Sequence, residues 1–321
     1  MADNINENEV KAEQPVDVAP QTVENSDINA VSKKQTVKKV FINIALYGFL
    51  TIMAIIVLFP FYWMLMSSVK TKEEYELTVP TFWPTMGFRF STYSEAFKMI
   101  DFGRVFLNTV LVGVVSTILS LLITILSAYA FARFNFKGKS VMFAAMLATM
   151  MIPGELFTIT NYITVVNDFK WAESSVGVFT ALVVPFLVSV FYIYLLRQNF
   201  MQIPNELYLA AKVDGTSDFK YLWKVMVPLA APTLISITIL KMMGAWNTYI
   251  WPDLILGSTS GDIKLDLMTV ALRNAEWGEA GVVDYPVQMA AVVIATVPLL
   301  IIFLLFRKYI IRGVSRSGTK G

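Results

Sequence analysis

Hydrophobic and polar residues are segregated along this chain in blocks of twenty residues or more, rather than turn by turn. No charge interrupts 41–66, whose nearest charged neighbours are Lys39 and Lys70. A helix rising 1.5 Å per residue needs about 20 apolar residues to cross the hydrocarbon core of a bilayer, so this run predicts a membrane span. Five more follow. They are 106–132 between Arg104 and Arg133, 140–162 with one acid at Glu155, 176–196 between Glu173 and Arg197, 229–251 with one base at Lys241, and 286–306 between Asp284 and Arg307. Pro60, Pro153, Pro185 and Pro298 fall in or near these runs, where a membrane tolerates proline at the cost of a kink. The pattern predicts an all-α polytopic membrane protein with six transmembrane helices.

The polar stretches set the boundaries. Residues 1–36 are rich in Asn, Glu, Val and Gln without helical or alternating period, which predicts a disordered tail. No apolar region follows closely on a basic start, so a signal peptide is not expected. The transmembrane domain is predicted over 37–312 and a short tail over 313–321. Orientation follows from lysine and arginine in the short connections. Four bases lie in 33–39 just before the first span, three in 133–139, four in 197–228 and five after the last span; the alternate connections hold five, one and two. Both termini and the 197–228 connection are therefore expected in the cytoplasm.

Composition narrows the chemistry. The 321 residues are 56% hydrophobic and 16% charged, against about a quarter charged in a soluble domain. A net charge of +2 makes no case for a nucleic-acid partner. There are no cysteines and no histidines, which removes disulfides, thiolate nucleophiles, cysteine-zinc sites and the commonest general base and metal ligand. A membrane-embedded enzyme would lack reagents, since the spans hold no paired carboxylates either. The "FNFKGKS" run at 134–140 ends like a phosphate loop, but Arg133 stands where its first glycine is required, so it reads as a short basic turn.

One connection departs from the apolar pattern. Pro204 and Asn205 signal a helix start, and Leu207, Ala210, Ala211 and Asp214 share one helical face. Gly215 permits a sharp turn, Thr216 or Ser217 can cap a second helix, and Phe219, Leu222, Trp223 and Met226 repeat the same spacing before Pro228. Both apolar faces are expected to lie uncovered. By itself such a segment fits a helix resting on the membrane surface.

The residues say more. The segment resembles the EAA loop of permease subunits of binding-protein-dependent ABC importers, whose pattern is Glu-Ala-Ala, three residues, Gly, nine residues, an aliphatic, one residue, an aliphatic and Pro. Here it reads Leu209-Ala210-Ala211, Gly215, Val225 and Val227-Pro228, with Leu209 in place of the glutamate and Glu206 and Asp214 retained from the flanking "IPNEL" and "VDG". "LNTVLVG" (107–113), "AYAFARFNFKGK" (128–139), "GAWNTYIWP" (244–252) and the C-terminal 288–321 are similar to the carbohydrate branch, and more narrowly to the maltose-type "G" subunit.

The resemblance implies the type I importer permease fold in a bacterial inner or plasma membrane. It implies a heterodimer with a second permease, two ATP-binding subunits, and an extracytoplasmic sugar-binding protein that delivers a di- or oligosaccharide. This chain would be a transport subunit without a cofactor of its own, with ATP and magnesium held by the partner ATPase. The 204–228 loop would be the coupling helix, with Glu206, Leu209, Ala210, Ala211, Asp214, Gly215, Phe219, Trp223 and Pro228 as its residues. Gly318, Lys320 and Gly321 would form the tail that inserts between the ATPase subunits.

Four residues are candidates for the substrate path. Intramembrane charges are functional by default, and Glu155 and Lys241 lie roughly 24 and 20 Å from the cytoplasmic side by helical rise. They are expected to line a cavity, paired with each other or contacting a polar or anionic sugar. The alternatives are that Lys241 snorkels and that Glu155 sits in a wet break beside Pro153-Gly154. Trp246 and Asn247 suit sugar stacking and amide contact, whereas Tyr249 and Trp251 suit an interfacial aromatic belt. The acids Asp262, Asp266, Glu276, Glu279 and Asp284 of the 253–285 connection match no calcium-loop spacing. Other substrates open to the same family are a polyol, a sugar phosphate or an acidic oligosaccharide. An ATPase-independent secondary transporter would need a relay of several intramembrane acids, and Glu155 is alone.

Overall fold

The computed structural model describes residues 25–259, 263, 265–279 and 282–315. They fall into two units, residues 1–60 and 61–321. The first is the greater part of helix α1 (Asn25–Ser68), whose apolar side chains from Val40 to Phe59 are exposed around its circumference. A helix apolar on every side is built for lipid or a protein neighbour. The expectation of disorder over 1–36 is corrected for its last twelve residues, because α1 begins at Asn25. Extending a helix backward from a long apolar run adds one hydrogen bond per residue and needs no second nucleus.

The second unit opens with α2 (Lys72–Tyr75) and α3 (Ser91–Met99), then the 32-residue α4 (Phe102–Arg133). Next come α5 (Lys139–Thr149), α6 (Thr158–Ile163), α7 (Ser175–Val183) and α8 (Val190–Gln202). The short helices α9 (Asn205–Val213), α10 (Asp218–Tyr221) and α11 (Val227–Leu229) precede α12 (Ala231–Asn247). The chain ends through α13 (Ile250–Gly257), α14 (Met268–Asn274), an antiparallel ribbon of β1 (Gly278–Glu279) with β2 (Val282–Val283), and α15 (Tyr285–Ser315). The predicted C-terminal tail thus loses 313–315 to α15, and its remainder lies outside the described residues.

By length and composition α1 from Lys39, α4, and α15 to Lys308 can each cross a membrane. Three bent pairs pass the same test when each is taken as one span: α5 with 154–168 at 86°, 175–186 with α8 at 51°, and 218–229 with α12 at 80°. Two of the continuous spans expected from hydropathy, 140–162 and 176–196, are therefore broken within their length, and the third bend falls at the start of the expected 229–251 span. Pro153 lies in the first break, and Pro185 and Pro232 lie two residues from the other two; proline lacks an N–H for the helical ladder. The expected 229–251 span also ends early, since α12 stops at Asn247 and Thr248 is extended.

Helix α4 is the axis of the second unit and packs on α8 and α12. Its buried face carries Thr109, Gly113, Ser116, Thr117, Ser120, Thr124 and Ala128 at spacings of one, three or four residues. Small residues let backbones approach in a membrane, where no hydrophobic drive brings helices together. At Gly113 an added Cβ would meet the Met242 sulfur at 3.0 Å. Three apolar clusters follow one another along α4. Ala96, Phe102, Val105, Trp246, Trp277 and Ala291 pack at its start, Val112, Val178, Leu182, Trp251 and Ile255 at its middle, and Ile125, Tyr129, Phe200, Tyr221, Leu222 and Met226 at its end.

Candidate functional site

The Gly215 loop is built by hydrogen bonds local in sequence. Helix α9 ends where the Gly215 N–H donates to the Lys212 carbonyl (3.0 Å) and the Thr216 N–H to the Ala211 carbonyl (2.8 Å). With Gly215 at φ +69°, this is the Schellman termination that favours glycine. Ser217 then caps α10 by accepting from the Lys220 N–H. One turn of backbone thus reverses the chain with its orphan polar groups paired.

What lies under the loop was not visible in the pattern. Asp218 is a hub: its carboxylate accepts from the hydroxyls of Tyr208 (2.9 Å) and Tyr129 (3.2 Å) and from Lys212 Nζ (2.8 Å). That joins α9 and α10 to α4. One turn further along α4, Arg133 donates to the carbonyls of Phe200 (3.2 Å) and Ile203 (2.8 Å) and to Asn205 Oδ1 (3.3 Å). The hydrogen bond to Asp218 raises the Lys212 pKa. Burial, then the same carboxylate, pushes the Tyr208 hydroxyl above the usual tyrosine range. Tyr129, Arg133, Tyr208 and Asp218 were not singled out from sequence. The signal available was the i, i+4 placement of Tyr129 and Arg133 at the end of an apolar run, facing a loop that holds an acid after its capping serine.

The expected uncovered face is half right. Glu206, Leu207, Leu209, Ala210 and Asp214 are exposed, as are Val213 at 88% and Phe219 at 67%. Leu222 and Met226 are buried against Tyr221, Phe200 and Leu196, and Ala211 and Trp223 pack on the same cluster. The second helix therefore turns its i, i+3, i+4, i+7 face inward and keeps only Phe219, edge-on to Trp223 at 6.1 Å, outside. The reason is the π turn over Leu222–Met226, which seats that stretch on α4 and α8. Pro228, exposed, lies in α11.

A pocket of about 380 Å³ opens near the middle of α4. Ser116, Ser189, Tyr192, Lys241, Thr248 and Trp251 are among its lining residues. Lys241 Nζ donates to the Phe186 carbonyl at 2.6 Å, an acceptor released where the span breaks before Ser189. Among the described residues no ion pair joins Lys241 to Glu155; Glu155 is exposed on the turn at Gly154–Phe157 and does not line the pocket. The paired arrangement expected from their similar depths is thus corrected. The 86° bend at 150–153 turns the Glu155 segment away from the straight course on which that depth was reckoned.

The aromatic expectations also move. Trp246 is buried in the apolar cluster at the start of α4, edge-on to Phe106 at 5.7 Å, so it is core and not a stacking platform. Asn247 is exposed at the end of α12. Trp251, placed in the belt by pattern, is buried with its indole N–H on the Ala181 carbonyl (3.0 Å), and one wall of the pocket is formed by it. Gly318, Lys320 and Gly321 lie outside the described residues.

At the Phe102 end of α4 a polar platform forms from 69–101 and the start of α15. Buried Glu74 accepts from Thr81 Oγ1 (2.6 Å), the Thr85 N–H (2.8 Å) and hydroxyl (2.9 Å), and the Met86 N–H (3.0 Å). Arg89 bridges Glu95 (2.6 Å) and Asp284 (3.0 Å). Burial alone would raise the Glu74 carboxyl, but its hydrogen bonds outweigh that and hold it at about 2.

Comparison with known proteins places this geometry. Residues 120–316 match the family model described as binding-protein-dependent transport system inner membrane component. The arabinooligosaccharides transport system permease protein AraQ of Halalkalibacterium halodurans is 30% identical over 214 residues, covering 67% of this chain and 73% of that protein. AraQ of Bacillus subtilis is 28% identical over 289 residues, 87% and 96% of the two chains. The diacetylchitobiose uptake system permease protein NgcG of Streptomyces coelicolor is 29% identical over 277 residues, 84% and 87%. A chain from the crystal structure of a bacterial ABC transporter involved in import of the acidic polysaccharide alginate superposes with a TM-score of 0.70 over 85% of this chain and 97% of that one. At 24% identity that likeness shows a shared fold.

Proposed function

The chain belongs to the family of binding-protein-dependent transport system inner membrane components, an integral membrane transport subunit and not an enzyme, and from that premise we propose that it forms half of the path by which an ABC importer takes up a di- or oligosaccharide. The observation that carries the proposal is the Gly215 loop. It displays Leu207, Leu209, Ala210, Val213 and Phe219 outward on a base tied by Asp218 and Arg133 to α4. An exposed apolar ridge on a rigid base is what a groove in an ATPase subunit would grip. The excess of lysine and arginine in the 133–139 and 197–228 connections supports a cytoplasmic position for this end.

In this reading two ATPase subunits hold ATP and magnesium, and a second permease completes the path. A binding protein docks at the opposite end, where 69–101 and the start of α15 form the charged platform. Closure of the ATPases moves the loop, and the transmembrane helices rotate between inward- and outward-open states. The pocket around Ser189, Tyr192 and Thr248 would line the path. Relatives named for arabinooligosaccharides, diacetylchitobiose and lactose support the same class here, against one named for sn-glycerol-3-phosphate.

A specific observation favours a second substrate reading, an acidic oligosaccharide: Lys241 is the charged group among the pocket's lining residues. Thermal shift of the partner binding protein against neutral and uronate-containing glycans separates the two. The broader proposal is tested in vesicles holding the complete importer: uptake stops when the ATPase is inactivated. Uptake that survives inactivation would exclude the coupling role.

A further inference from the structure

We infer that the end of α4 clamps the loop at two points, and that the Tyr129–Asp218 hydrogen bond is the joint through which the loop restrains the ATPase when no binding protein is docked. The inference rests on the coupling role proposed above and names the side chains that carry it within this chain.

The geometry is specific. Tyr129 and Arg133 are four residues apart and so share one face of α4. Arg133 holds the entrance of the loop, through the carbonyls of Phe200 and Ile203 and the side chain of Asn205. Tyr129 holds its far limb, through Asp218 at 3.2 Å. Asp218 in turn holds α9 through Tyr208 and Lys212, so the outward ridge cannot tilt independently of α4 while that carboxylate keeps its three partners. Between the two grips, Phe200, Tyr221, Leu222 and Met226 fill the space with close-packed side chains. Such a filled wedge passes on a displacement instead of absorbing it.

The other end of the rod is the pocket. Val112 and Ser116 of α4 line it, about 25 and 20 Å from Tyr129 along a continuous helix. At its start α4 is held again, where the Met268 N–H donates to Thr109 Oγ1 at 2.9 Å. A push on the ridge therefore reaches the pocket as a movement of one stiff element. Conversely, when the transmembrane helices hold α4 still, the ridge is held, and closure of the ATPases is resisted. The joint is a positioning device, since neither Tyr129 nor Asp218 touches substrate or nucleotide.

The test is ATP hydrolysis by the assembled importer in nanodiscs without binding protein, for wild type, Tyr129→Phe, Asp218→Asn, the double variant and Gly215→Val. Tyr129→Phe removes one hydroxyl and leaves the ring, so assembly with the partner subunits, measured by co-purification, stays at the wild-type level. Basal hydrolysis is expected to rise about tenfold in each single variant, the order that corresponds to losing one hydrogen bond to a charged acceptor. The double variant is expected to match Asp218→Asn alone, because Tyr129 acts through that carboxylate. A merely structural role would lower hydrolysis together with assembly. Unchanged basal hydrolysis in Tyr129→Phe and Asp218→Asn, with Gly215→Val releasing it, would overturn the clamp and leave the coupling role standing. No release in any of the variants would overturn both.

Discussion

Gly177 and Glu74 show how single residues set limits in this protein. A Cβ built at Gly177 would fall against the Trp171 carbonyl oxygen and its backbone carbons, well inside van der Waals contact. Gly177→Ala must therefore push apart the start of α7 and the Trp171 turn, and is expected to lower stability by about 1–3 kcal/mol, read as a fall in thermal midpoint in detergent. Glu74 is a buried carboxylate with four hydrogen bonds, and its pKa near 2 lies below the ordinary 4.5. A carboxyl whose folded pKa is depressed stabilises the fold fully above its unfolded pKa and loses that contribution as pH falls through the folded one. The 72–86 turn is thus expected to hold its full stability above pH 4.5 and to weaken between 4.5 and about 2. Glu74→Gln should melt lower than wild type at neutral pH, with the gap closing in acid. A gap that stays constant with pH would show that the charge contributes nothing.

At the scale of elements, the short loop helices and the broken spans share one cause: backbone polar groups freed by a turn or a proline must find partners. At Gly215 they find each other, through the Schellman bonds to Ala211 and Lys212. At the Phe186 break the partner is a side chain, Lys241. Gly215→Val places a β-branched residue at φ +69°, a conformation that is a steric outlier for it. The variant is expected to shift the α9–α10 angle and to uncouple ATP hydrolysis from uptake, while the permease still inserts to wild-type levels on a membrane blot. Wild-type uptake in that variant would mean that the loop does not transmit. The ridge residue Leu209, where the resembled motif has an acid, is exposed, and nothing in the structure explains that departure.

For the whole molecule the decisive question is which end faces which side of the membrane. The chain has no cysteine, so single cysteines introduced at exposed Glu76 and Lys137 report sidedness directly. A membrane-impermeant thiol reagent applied to intact cells is expected to label Glu76→Cys and to spare Lys137→Cys, with the reverse in inverted vesicles. The opposite pattern would turn the topology over and, with it, move the Gly215 ridge away from any cytoplasmic ATPase.

Membrane insertion, six apolar segments and the helix–glycine–helix were legible in the order of residues. Each rests on a property local in sequence: the length of an apolar run against bilayer thickness, the distribution of lysine and arginine, and the ability of glycine to take positive φ. Tertiary structure decided what those properties leave open. Helical spacing put Leu222, Trp223 and Met226 on one face but could not say whether that face looks outward, and packing against Phe200 and Leu196 turned it inward. Depth along a straight helix brought Glu155 and Lys241 level, and an 86° bend separated them. Asp218 carried no signal of its own in the sequence, and α4, 89 residues away, brought Tyr129 to it. A periodicity reports which residues share a surface; only the folded chain reports what that surface meets.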